Sequence, residues 1–242
     1  MRIIGIDCAV APENTGIVLA RREAGRTRVE STQAGSEGRP PETVVLEAME
    51  ETTLLALDAP LGWPERFGEL LAAHRAGEAL PVGAGRFFRR ETDEFVARRV
   101  GKRPMDPAAD RIGRTAFAAL SIMAAVREAG WAPVSLAWSP QEAGEGVYAI
   151  ETYPAGRLAA LRLPAQGYKQ REQRRVREQI LDTLLEELEI ECDEEPFLRD
   201  PDQLDALLCV AGAADFLAGR CMPPENLARA RKEGWVWVRY PS

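Results

Sequence analysis

A chain of 242 residues, 45% of them hydrophobic, suits one large domain or two small ones whose core needs no staples. The net charge of -7 argues against a general nucleic-acid-coating protein, which would be basic, but leaves room for a nuclease with a local basic patch. Four cysteines without a CxxC pair, and a single histidine, argue against a zinc site.

In chain order, Ile3–Asp7 reads as a short apolar strand, Thr15–Ala20 as a second and Arg26–Gln33 as a polar, alternating third. The intervening Gly25 marks a tight hairpin, so the chain starts as three antiparallel strands. Pro41–Glu51 follows as a helix with proline in its first turn, and Thr53–Asp58 as a leucine-rich strand covered on both faces. The stretch from Pro60 to Pro107, punctuated by glycine and proline, breaks the alternation. Helices are expected there over Glu65–Arg75 and Thr92–Val100, and the segment reads as an insertion over the strand ends. Asp110–Ala129 is a long helix capped by Gly130. Val134–Trp138 is a fifth strand, partly at an edge, and Val147–Glu151 another. Gln170–Glu187 is a charged amphipathic helix, and Asp202–Gly219 a largely apolar one packed against the sheet. Trp235–Tyr240 alternates and reads as a final strand or a strap. Strand four beside strand one, with the antiparallel strands as a wing, would bring Asp7 and Asp58 together. We read residues 1–242 as a single domain with a cap-like insertion at about 60–107.

The initial Met-Arg-Ile-Ile-Gly-Ile-Asp reads as a strand rather than a signal peptide. No run approaches the ~18 apolar residues of a membrane span. The expectation is a cytoplasmic protein without a membrane partner, its cysteines reduced.

Three carboxylates, Asp7, Asp58 and Glu151, close buried-looking strands, and Asp205 lies on the apolar late helix. Strand ends in α/β proteins open onto the crevice where ligands bind. Acids brought together there repel one another and invite a divalent cation. A buried aspartate is costly unless paired or ligated, which favours Asp7, Asp58 and Asp205 as metal ligands over turn or cap residues. Asp202 is weighed as a helix N-terminal residue. Glu151 is open between a fourth ligand, a general base and the partner of an arginine from the insertion.

Between Arg86 and Arg114 lie nine basic and five acidic residues, opposite in balance to the whole chain. Arginine's fork suits phosphate, so Arg86, Arg89 and Arg90, with Asp93, are the candidate substrate-binding residues. Arg98, Arg99 and Lys102 read as a solvated face. A second basic run, Lys169, Arg171, Arg174, Arg175 and Arg177, is spread round a helix and reads as surface.

The segments Ile4-Gly5-Ile6-Asp7, Leu57-Asp58-Ala59-Pro60-Leu61-Gly62, Arg90-Glu91-Thr92-Asp93, Glu151-Thr152-Tyr153-Pro154 and Asp205-Ala206-Leu207-Leu208 occur in a telling order. In this the chain resembles a widespread uncharacterised family of predicted nucleases with a ribonuclease-H-like fold. The resemblance covers most of the chain. It implies an α/β fold: a ribonuclease-H-like mixed sheet with antiparallel first three strands, flanking helices and a helical insertion. It further implies that Asp7, Asp58 and Asp205 hold Mg2+ or Mn2+. The resulting expectation is a metal-dependent phosphodiester hydrolase acting on a short or structured nucleic acid. A nucleotide-binding phosphohydrolase or phosphotransferase, and a non-enzymatic scaffold, are the alternatives.

Overall fold

The computed structural model describes residues 1–108, 110–131 and 134–242. Seven strands form its sheet: β1 (Arg2–Asp7), β2 (Gly16–Glu23), β3 (Arg26–Ala34), β4 (Thr53–Asp58), β5 (Ser135–Leu136), β6 (Val147–Glu151) and β7 (Glu189–Ile190). Their order is β5-β6-β4-β1-β2-β3-β7. The first three run antiparallel, joined between β2 and β3 by Ala24 and Gly25, both at positive φ, as a tight hairpin requires. Beside them β4 pairs parallel with β1, β6 with β4 and β5 with β6. An antiparallel wing followed by parallel strands on the far side of β1 is the ribonuclease-H-like mixed sheet.

Alternation along the strands splits the core in two, because successive side chains leave opposite faces. Ile4 and Ile6 of β1, with Leu55 and Leu57 of β4, pack on α1 (Pro41–Ala48) and the long α5 (Asp110–Glu128). On the other face Ile3, Leu54 and Ala56 pack beneath α9 (Pro201–Leu217). That face also carries α6 (Pro154–Ala160), α7 (Arg174–Leu185) and α8 (Glu195–Arg199). Covered by the sheet on one side and by these helices on the other, α9 is apolar almost all round. It crosses β1 at Gly5, where a Cβ would lie 2.3 Å from the Ala206 carbonyl oxygen, and β2 at Gly16, where one would lie 2.3 Å from that of Asp202. The two glycines thus set how close α9 comes to the sheet.

Residues 60–107 contain α2 (Glu65–Ala73), α3 (Ala84–Phe88) and α4 (Glu91–Val100). Their anchor is at the other end of the chain. Glu233, buried at the end of α10 (Leu227–Glu233), accepts hydrogen bonds from the backbone N–H of Glu65 at 2.9 Å and of Glu91 at 2.8 Å. One carboxylate therefore satisfies orphan donors at the first residues of two helices. Beyond it Val236 donates to the Thr92 hydroxyl and bridges Glu151, and Trp235 packs on Phe95. Trp235–Tyr240 is thus a strap with isolated bridges rather than a strand. The helix expected from Gln170 starts only at Arg174, and the Arg177 guanidinium binds the carbonyls of residues 168, 170 and 171 in the turns before it. No helix among the described residues is long and apolar enough to cross a membrane.

Gly5→Ala tests the closeness of α9 and β1. The added methyl meets backbone, which cannot rotate away, so the variant should lose roughly 1–3 kcal/mol in urea unfolding. An unchanged midpoint would show slack between helix and strand.

Candidate metal centre

Parallel pairing in register sets Asp7 directly beside Asp58 at the ends of β1 and β4. The side chains of Ile3 and Asp7 leave the face on which α9 packs at Gly5, so Asp205, next to Ala206 at that crossing, reaches the same point. One carboxylate oxygen from each of Asp7, Asp58 and Asp205 lies within 4.8 Å of the others. Asp7 and Asp205 are buried, and Asp58 is half-buried. Asp7 and Asp58 line a cleft of about 800 Å³ whose other walls include Arg89, Arg103, Arg111, Tyr153 and Lys169.

Burial and mutual repulsion dominate the electrostatics of this cluster. Burial, then the charges of Asp205, Asp58 and Asp202, push Asp7 well above the ordinary carboxylate range, with Lys169 opposing. Burial, then Asp205, raise Asp58 to about 7, again against Lys169. Asp205 is raised by burial, though Lys169 and the Tyr168 hydroxyl stabilise its charge.

The sequence reading of Lys169 as a surface residue holds for half of its side chain, but the residue sits off the helix and against the acids. It precedes α7, and its Nζ lies 2.5 Å from Asp205 Oδ2, 3.6 Å from Asp7 Oδ2 and 3.9 Å from Asp202 Oδ1. Burial opposes its charge, but Asp205 and Asp7 outweigh it and hold the ammonium above the ordinary lysine range. Tyr168 donates from its hydroxyl to Asp205 Oδ1 at 2.7 Å. Arg177, assigned to the same surface run, is only 2% exposed. Nothing in the local sequence marks these residues. The one hint is that Lys169 is among three lysines in an arginine-rich chain. Asp202, in the first turn of α9, donates its backbone N–H to Asp200, whose side chain caps the helix.

Glu151 is not among the three converging acids. It pairs with Arg90 of the insertion, one of the arrangements left open by the sequence. Arg90 Nη1 and Nη2 donate to its two oxygens at 2.8 and 2.7 Å, and Leu61 N–H donates to Oε2 at 3.0 Å. Asp93 accepts from Arg90 Nε and Nη2, and the Glu233 carbonyl from Nη1. All five guanidinium N–H groups are therefore used within the protein, on a side chain that is fully buried. The expectation that Arg90, with Asp93, binds substrate meets a guanidinium with no donor to spare. Arg89 does line the acid cleft, tied to Asp106 at 3.1 Å and Glu94 at 3.2 Å. Arg86 is exposed and faces a neighbouring hollow shared with Arg66, Arg89 and Arg229, while Phe87 beside it is buried against Phe67.

A family model described as "Protein of unknown function (DUF429)" matches residues 5–229. No curated protein matches the chain. Among solved structures, one that resembles it is "T. thermophilus RuvC in complex with Holliday junction substrate", 13% identical, covering 93% of this chain and 100% of that chain at a TM-score of 0.39.

Arg90→Met should leave Asp93 and Glu151 facing each other without their cation. Breaking a buried pair on one side costs about 3–5 kcal/mol, so urea unfolding should register a loss of that order. A loss below about 1 kcal/mol, the level of an exposed pair, would mean that the triad contributes little to stability.

Proposed function

We propose that this chain, which belongs to the DUF429 family, is a divalent-metal-dependent hydrolase of phosphodiesters, acting on a short or structured nucleic acid. The observation that carries the reading is the convergence of Asp7, Asp58 and Asp205 to within 4.8 Å at the edge of an arginine-lined cleft. Their oxygens are hard donors, and no histidine or thiolate accompanies them in the set, so they fit Mg2+ or Mn2+. Such an ion supplies charge against phosphoryl oxygens and activates water.

The protein's own groups do the rest. The three aspartates hold the ion, and Arg89, Arg103 and Arg111 on the cleft wall receive the substrate phosphate. Glu151 acts as a positioning residue rather than a ligand. Through Leu61 N–H and Arg90 it fixes the Asp58-Ala59-Pro60-Leu61 turn, and with it the direction of the Asp58 carboxylate. Arg90 and Asp93 act through the same contact. Residues 60–107 then serve as a cap within one domain, clamped by Glu233 and carrying Arg89 and Arg103 to the cleft.

Millimolar Mn2+ should raise the melting temperature of the wild type and support cleavage of bis(p-nitrophenyl) phosphate and of short oligonucleotides. Asp7→Asn and Asp205→Asn should abolish the thermal shift and lower cleavage by at least about 100-fold, the upper end of what losing a supporting residue costs. Folded variants that keep both would sink the assignment.

The effect should depend on pH in a defined direction. Folded Asp58 keeps its proton up to about 7, whereas its ordinary value is 3.8. Between these limits the metal-free folded state binds more protons than the unfolded one, so this group's contribution to stability falls as pH rises. Metal requires the ionised form, so the Mn2+-induced shift should be larger at pH 8 than at pH 5.5. A shift independent of pH over that range would mean that the carboxylates are ionised throughout.

A further inference from the structure

Lys169 is held in the acid cluster by more than its own charge. Arg177, buried on α7, donates from Nη1 to the carbonyls of Tyr168 at 2.6 Å and Gln170 at 2.8 Å, on either side of Lys169. Its Nη2 reaches the Arg171 carbonyl, and its Nε the Leu198 carbonyl on α8 at 2.7 Å. Tyr168, itself buried, ties the segment to Asp205 through its hydroxyl. A surface lysine loses about 2 kcal/mol of rotamer entropy when it is fixed and seldom gains as much from one exposed pair. Here the backbone on both sides of Lys169 is latched before the side chain is placed. Its ammonium is directed at the acids, and the side chain, half exposed, lines the cleft.

Charge counting shows what such a cation does. Asp7, Asp58 and Asp205, all ionised, carry three negative charges, and Asp202, 3.9 Å from the Lys169 ammonium, adds a fourth. Lys169 offsets one of them, and a single divalent ion offsets two more. A second divalent ion would have to enter a cluster with a single negative charge left, beside an ammonium 2.5 Å from Asp205 and 3.6 Å from Asp7, against like-charge repulsion. We infer that Lys169 stands where a two-metal hydrolase would hold its second ion, so that this chain binds one divalent cation and uses the lysine as the other fixed charge. The inference rests on the metal-centre reading above and deepens it. In a two-ion site the second ion helps to neutralise charge as the phosphodiester is cleaved. Lys169, lining the cleft, carries that charge to the substrate without having to be recruited from solution.

The test counts metal ions. Manganese chloride is titrated into the purified full chain by calorimetry, and the loaded protein is examined by electron paramagnetic resonance. Wild type should bind one Mn2+ with the signal of an isolated ion. Lys169→Met should bind two, with the spin-coupled signal of a close pair. Lys169→Arg, which keeps the charge, should stay at one. Lys169→Gln serves as a second neutral variant should the methionine form fail to fold. Two Mn2+ in the wild type, or one in both neutral variants, would overturn the inference while leaving the metal centre intact. No Mn2+ in any form would overturn the metal-centre reading, and the inference with it.

Discussion

The parallel, in-register pairing of β1 with β4 forces two aspartates side by side, and the tight crossing of α9 over Gly5 brings a third against them. Like charges at this separation, largely withheld from water, oppose folding. The surrounding structure is arranged around that cost. Lys169 and the Tyr168 hydroxyl return part of the lost solvation, and Arg177 holds both in place from a helix that otherwise has no part in the cleft. The repulsion that remains is what favours a divalent ion at this point.

Other buried acids in the chain are held by denser sets of partners, although burial still raises Glu151 against the pull of Arg90. Asp215 lies ten residues along α9 from Asp205, equally buried. It accepts from Arg157 at 2.8 Å, Arg220 at 2.9 Å and Arg239 at 3.1 Å. Glu151 has both oxygens filled by Arg90 and one shared with Leu61 N–H. Glu233 is bound by two helix N-termini and by Arg229. Each of these carboxylates has its charge answered by neighbours and acts as a tie between elements. Asp7, Asp58 and Asp205 share a single lysine. What separates Asp7, Asp58 and Asp205 from these acids is how few partners answer their charge, not residue type or burial.

These ties connect to the site. Through Glu233, Thr92 and Glu151, the C-terminal strap and the insertion are joined to the ends of β4 and β6. The cleft walls that carry Arg89 and Arg103 are thus referenced to the strands that carry Asp58 and Glu151.

The three antiparallel strands, β4, β6, the long α5 and the apolar α9 were legible in the sequence, because strand and helix periods, glycine turns and caps are local signals. So were the strand-end positions of Asp7 and Asp58, since a strand's end is marked by its own residues. Strand β7, two residues long beside β3, left no local trace. Neither did α3, α6, α8 and α10, which are short and take their stability from packing rather than periodicity. Which acid met which base was decided only in three dimensions. Arg90 and Glu151 are 61 residues apart. Lys169 reaches Asp205 from a turn that resembles the start of a helix. Charge pairing acts through space over a few ångströms, and only the tertiary fold brings distant residues within that range.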